Sequence, residues 1–282
     1  MAARYAAPLP APTGPLTIFH IGHSLVNRDM PAMLAQLAGQ GHGYDSQLGW
    51  GATLSSHWGD ATIGGFEVEN AHPRFRPAFE AVESGDYDAI VLTEMVEIRS
   101  ALEYHDSPRY LALWAQKARS AHPGVRLYLF ETWHNLDDPE GWIERLDADL
   151  SRYWVDGILR PALADLPADA QIHLIPAGQA LAAFVRAVEQ QGGVGNLRDR
   201  TDLFMRNADG TLDQIHLNDL GNYFVALVHY AVLYQKSPIG LPHALKRGDG
   251  SQAVAPAPET ALLMQQIVWQ TVLKTPLTGV AP

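Results

Sequence analysis

The stretch TIFHIGHSL, Thr17 to Leu25, decides how the rest of the chain is read. Its first residues, with Leu16 before them, are apolar or β-prone and fit a buried strand over Leu16–Ile21. Gly22 then permits a tight turn, and Ser24 stands just past it. An amphipathic segment follows at once, Met30–Gly39, with Asp29 placed to cap it and Pro31 in its first turn. A strand, a glycine turn and a helix make the first half of a βα unit. A serine in that turn either caps the helix or is presented as a nucleophile beside its N-terminus, where free backbone N–H groups gather.

The same alternation recurs down the chain. YDSQLGW (Tyr44–Trp50), DAIVLTE (Asp88–Glu94), VRLYLFE (Val125–Glu131) and QIHLIP (Gln171–Pro176) fit four further strands, and the third and fourth strands are apolar on both faces as in a parallel sheet. Helical spacing marks Pro108–His122, Gly141–Leu166 with a break expected near Pro161, Gly178–Gln190, Leu220–Gln235 and Glu259–Lys274. The pattern predicts an α/β fold, a three-layer α/β/α sandwich around a flavodoxin-like five-stranded parallel sheet. Ligands of such sheets bind at the carboxyl ends of the strands, where Ser24 falls. Residues 1–15, rich in Ala and Pro, are expected to form an extended, loosely held arm. Residues 16–282 are expected to form one domain, with polar loops at Gly192–Thr211 and Gly248–Pro258.

Bulk properties narrow the function. The 282 residues carry a net charge of −11, which disfavours nucleic acid as a partner. No run reaches the roughly 18 apolar residues of a membrane span. There is no cysteine, so disulfides, thiolate metal sites and a cysteine nucleophile are excluded. The N-terminus lacks the apolar core of a signal peptide, and the compartment is left open between cytoplasm and periplasm.

A second informative stretch is DQIHLNDLGNYF, Asp213 to Phe224. Asp213 and His216, three apart on a turn before a helix, are spaced so that the carboxylate could orient the imidazole and stabilise its cation. A Gly-x-Ser-Leu block after the first strand, paired with a late Asp-x-x-His block, resembles the SGNH, or GDSL-like, hydrolase family over roughly Leu16 to Leu241. The tail HLNDLGNYFVALVHYAVLYQKSPIGLP is similar to a bacterial branch of it. The resemblance implies Ser24 as nucleophile, His216 as base and Asp213 as its partner. It also implies an oxyanion site built from the backbone N–H groups of Ser24 and of Gly51, or else Gly49, in QLGWGATLSSHW. His23 stands where the family has Asp. The family's third block ends its strand in Gly-x-Asn-Asp, whereas this chain has Thr93-Glu94-Met95-Val96, so the Asn that donates to the oxyanion is missing.

Glu94 at that place is expected to point into the cleft as an anion that binds substrate hydroxyls or a histidine. Strand four ends in FETWHN, which brings Glu131, Trp133, His134 and Asn135 toward the same edge. Glu131, Trp133 and His134, with Glu94, Trp50 and His23, are the expected substrate-binding groups. His20, His23, His57, His134 and His216 with Glu94 and Glu131 supply metal-ligand types without a recognised metal-binding spacing, so no metal and no other cofactor is expected. The resemblance implies a serine esterase acting on a small acyl ester, with an O-acetyl group on a carbohydrate favoured by the polar residues at the edge. Two rivals are a glycan-binding relative with weakened catalysis, which the missing Asn favours, and an acyltransferase.

Overall fold

Alternation along the strands builds both halves of the core. A computed structural model describes residues 2–281. On β1 (Thr17–Ile21) Ile18 faces one side, while Phe19 and Ile21 face the other. β3 (Ala89–Leu92) and β4 (Arg126–Glu131) split likewise, with Val91, Tyr128 and Phe130 opposite Ile90, Leu92, Leu127 and Leu129. Both faces are covered, as a parallel sheet requires. The strands β2 (Gly43–Gln47) and β5 (His173–Pro176) complete a five-stranded sheet in the order β2-β1-β3-β4-β5, every pair parallel. This is the α/β architecture expected.

One face carries α1 (Asp29–Ala38), and on the other lie α2 (Leu54–His57), α4 (Ala78–Ser84), α5 (Ile98–Tyr104) and α6 (Ser107–Ala121). The short α3 (Phe66–Glu69) sits on an exposed excursion between α2 and α4. Residues 142–164 form one helical run: α7 (Trp142–Asp149), wider turns over Leu150–Leu159, then α8 (Arg160–Ala164). Pro161 does not break it. The Arg160 N–H reaches back five residues to Val155, and Pro161, at the start of the next regular turn, has no N–H to satisfy. The face that holds α1 is closed by α9 (Ala177–Gln190), α10 (Asp219–Tyr234) and α11 (Pro258–Lys274). All sixteen residues of α10 are buried.

Four local expectations change. β2 ends at Gln47 rather than Trp50, because Leu48 N–H turns to the Asn70 side chain (3.0 Å) and Trp50 N–H to Gly64 O (2.7 Å). Asn27, not Asp29, caps α1: its Oδ1 accepts from Asp29 N–H at 2.7 Å and Met30 N–H at 3.1 Å. The N-terminal arm is not loose throughout, since the Arg4 guanidinium donates to the carbonyls of Leu163 and Ala170, both at 2.7 Å. The last change bears on function. Residues 204–217 are not loop and turn but an antiparallel hairpin, β6 (Phe204–Arg206) with β7 (Leu212–Leu217), turned at Asn207–Gly210. β7 carries both Asp213 and His216, and Asn218 after it caps α10 by accepting from Leu220 and Gly221 N–H. No helix among the described residues is long and apolar enough to cross a membrane.

Candidate active site

The turn after β1 admits only glycine at position 22. A Cβ there would lie 2.6 Å from Thr93 Cγ2 and 2.7 Å from Val26 Cγ2. The turn brings Ser24, half-buried, to the carboxyl edge of the sheet, opposite β7. His216 Nδ1–H donates to Asp213 Oδ2 at 2.9 Å, which leaves the Nε2 lone pair free. The Ser24 hydroxyl donates to that nitrogen at 3.0 Å. Asp213 Oδ1 accepts from the backbone N–H groups of Ile215 and His216, each at 2.9 Å. Burial pushes the Asp213 carboxyl up, but these donors outweigh it and hold the group below its ordinary value, so it stays charged beside the ring. A serine, a base and a charged orienting carboxylate therefore stand in sequence, the arrangement that lets an alcohol lose its proton as it attacks.

They open into a cleft of about 770 Å³. Gly51 lies on its wall with a left-handed φ of 54° and open space where a Cβ would be. Gly49 does not reach the cleft, because its α-carbon packs under Ile63, whose Cγ2 would meet a Cβ at 2.0 Å. Trp50 lines the rim, 57% exposed, and its indole N–H donates to Glu69 Oε1 at 2.8 Å. Asp29, Glu69, Glu97 and Asp213 line the cleft, and no Lys or Arg among the described residues does.

The remaining expected substrate contacts are scaffold. His23 touches the cleft but is buried, and both ring nitrogens are taken: Nε2–H donates to Glu94 O (2.9 Å), and Nδ1 accepts from Leu25 N–H (3.3 Å). Burial lowers its pKa to about 4. Glu94 is fully buried and turned away from the cleft, with Oε1 accepting from Met95 N–H at 2.8 Å. Burial raises its carboxyl to about 7, so it is not the exposed anion expected. Glu131 lies under the start of α9, accepts from Gln179 N–H (3.2 Å) and is raised by burial to about 8. Trp133 is buried and gives its indole N–H to Ile215 O at 2.7 Å, next to His216. His134 is buried, with Nδ1 3.8 Å from Asp138, and its carbonyl accepts from the Trp142 indole N–H. Glu94, Glu131, Trp133 and His134 do not line the cleft; after β4 the chain passes under α9 and β7, and only Asn135 of that stretch reaches it.

The sequence reading missed Asn27, Glu97 and Asn222, which line the cleft in their stead. Asn27 Nδ2 donates to Asn222 Oδ1 at 2.8 Å and ties the serine turn to α10. Glu97 is held well below the usual carboxylate range by Arg145 and Arg99, against the effect of its burial. Asn222 sits four residues after an N-cap in NDLGN, so helix phase alone would have turned it toward the preceding strand. His20, in the ligand-rich set, is buried on β1 beside His229, with ring centroids 6.0 Å apart. No group of three or more His, Asp or Glu side chains among the described residues could hold a metal ion.

No protein-family model matches the chain, and no curated protein matches it in sequence. Among solved structures it is similar to a DUF4886 family protein from Bacteroides uniformis, with TM-score 0.56 and 15% identity over 92% of this chain and 95% of that one. It is also matched, with TM-score 0.33 and 14% identity, to a carbohydrate esterase family 2 enzyme with a carbohydrate binding domain from Corynascus thermopiles (Myceliophthora fergusii), over 60% of this chain and 58% of that one. The first likeness is one of fold.

Proposed function

We propose that this protein is a serine esterase of the SGNH type, which removes a small acyl group, an O-acetyl group foremost, through an acyl-enzyme. One observation carries the reading: Ser24, His216 and Asp213 are joined by bonds of 3.0 and 2.9 Å at the mouth of a cleft of about 770 Å³. Ser24 Oγ attacks the ester carbonyl carbon while its proton passes to His216 Nε2. Asp213 stabilises the imidazolium that forms. The carbonyl oxygen, now an anion, is taken by the N–H groups of Ser24 and Gly51. His216 then returns the proton to the leaving alkoxide, and the alcohol departs. Water repeats the sequence on the acyl-serine and releases the acid. No step needs a cofactor.

A carbohydrate as the alcohol is supported by the cleft's size, which exceeds what an acetyl group fills, and by an exposed Trp50 face beside polar Asn27, Asn135 and Asn222. The test is a fluorophosphonate probe followed by mapping of the labelled residue, together with hydrolysis of p-nitrophenyl acetate. Labelling at Ser24, and its loss with activity in Ser24→Ala at an unchanged melting temperature, is expected. Normal turnover by Ser24→Ala would end the proposal.

A further inference from the structure

His57 is buried, does not line the cleft and carries no part in the chemistry above, yet both of its ring nitrogens are bonded, Nε2 to the carbonyl of Gly22 in the serine turn and Nδ1 to the side chain of Gln47 on β2. The direction of each bond can be derived. Ala78 N–H donates to Gln47 Oε1 at 2.8 Å, so the nitrogen end of that amide faces His57. Gln47 Nε2–H therefore donates to His57 Nδ1 at 2.8 Å. The ring proton must then sit on Nε2, which donates to Gly22 O at 2.8 Å. Gly22 N–H returns to Gln47 O at 3.2 Å and closes the circuit. A backbone donor at one end and a backbone acceptor at the other leave only one arrangement of protons. Burial lowers the His57 pKa to about 4, which keeps the ring neutral as the circuit requires.

The Ser24 N–H belongs to the peptide between His23 and Ser24. The peptide before it is fixed through Gly22 O by His57. The peptide after it is fixed through Leu25 N–H by His23 Nδ1, whose other nitrogen holds Glu94 O. We infer that His57 and Gln47 are positioning residues for Ser24: with His23 on the far side, they set the plane of the peptide whose N–H receives the oxyanion. The inference rests on the esterase reading. It also accounts for a site that lacks the carboxamide donor of the SGNH pattern, since fewer donors leave less tolerance for a misaligned one.

His57→Leu removes the donor and the acceptor, whereas His57→Gln can supply both. On p-nitrophenyl acetate, His57→Leu is expected to lower kcat by about ten- to a hundredfold at little-changed KM, the cost of a small misplacement, with His57→Gln recovering most of it. Nitrogen-15 spectra of the wild type are expected to show His57 neutral and protonated at Nε2. A folded His57→Leu with wild-type kcat, a His57→Gln as impaired as His57→Leu, or an Nδ1-protonated ring would each overturn the inference. If His57→Leu does not fold, Gln47→Leu decides: it removes the donor to Nδ1 along with the acceptor for Ala78 N–H, so an unchanged kcat would overturn the inference and a lowered kcat at constant KM would support it. Ser24→Ala runs alongside. If it is inactive while the His57 variants are normal, only this inference falls; if it is active, the esterase reading itself falls.

Discussion

Asp213 spends one oxygen on the imidazole and the other on two backbone N–H groups, one of them His216's own. Ring and main chain of the same residue are thereby fixed to one carboxylate, which limits rotation of the base. Asp213→Ala should still leave His216 able to accept a proton in part of its orientations. We expect kcat/KM on p-nitrophenyl acetate to fall on the order of 10⁴-fold for Asp213→Ala and 10⁶-fold for His216→Ala, with the reverse ranking pointing to another partner for the ring. The buried carboxyls Glu94 and Glu131 lead to a different measurement. Their native pKa values, about 7 and about 8, lie above the unfolded value near 4.5, so the folded protein binds more protons between those limits. Stability is therefore highest below pH 4.5 as far as these two groups go, and is lost as pH rises through 7 and 8. For Glu94 the loss amounts to about 3 kcal/mol. Glu94→Gln should be more stable than wild type at pH 8 and equal to it near pH 4.5 in urea unfolding, with little change in KM. A KM raised severalfold would restore Glu94 to the cleft.

The hairpin of β6 and β7 is the element on which the site depends, and it was the part least visible in the sequence. A strand of three residues is too short to show alternation, and β7 mixes Asp213, Gln214 and His216 among apolar residues. The one available signal was the turn Asn207-Ala208-Asp209-Gly210 between two β-prone runs. β1, β3, β4 and β5 were legible because burial on both faces leaves apolar runs, whereas the half-exposed β2, Gly-Tyr-Asp-Ser-Gln, was the weakest of the strand signals and its end was misplaced. Ser24, Asp213 and His216 could be paired from the sequence because two short blocks resemble those of a known family, and the structure brings the three side chains within hydrogen-bonding distance. Glu131, Trp133 and His134 failed as walls for a physical reason: strand phase says which residues leave β4 together, but not that another element will cover them. Trp133 illustrates this, since its indole serves β7 rather than a ligand. Trp133→Phe keeps the ring but leaves the Ile215 carbonyl unpaired, so we expect about 1–3 kcal/mol lower stability and a severalfold lower kcat at constant KM. A raised KM with kcat intact would return Trp133 to the substrate.

At the scale of the molecule, charge and burial are unevenly spread. A chain of net charge −11 lines its cleft with Asp29, Glu69, Glu97 and Asp213 and, among the described residues, with no Lys or Arg. Acetyl esters of neutral alcohols should therefore be cleaved faster than esters carrying a carboxylate near the bond, by about tenfold at low salt, and the gap should shrink in 0.5 M salt. A preference for the anionic ester would contradict this. The burial of every residue of α10 has a consequence in time rather than in space. Beyond its first turn, where Asn222 reaches the cleft, its amide hydrogens are expected to exchange with deuterium mainly through global opening. Since Asn218 joins β7 directly to that helix, the arm bearing His216 is fastened to an element expected to exchange slowly. Residues 59–74, largely exposed and holding Glu69 against Trp50, should exchange through local fluctuations within a much shorter time. A bound ligand should then slow exchange along this outer lip far more than along α10 beyond Asn222, so that recognition is adjusted by one side of the cleft while the side bearing His216 keeps its alignment.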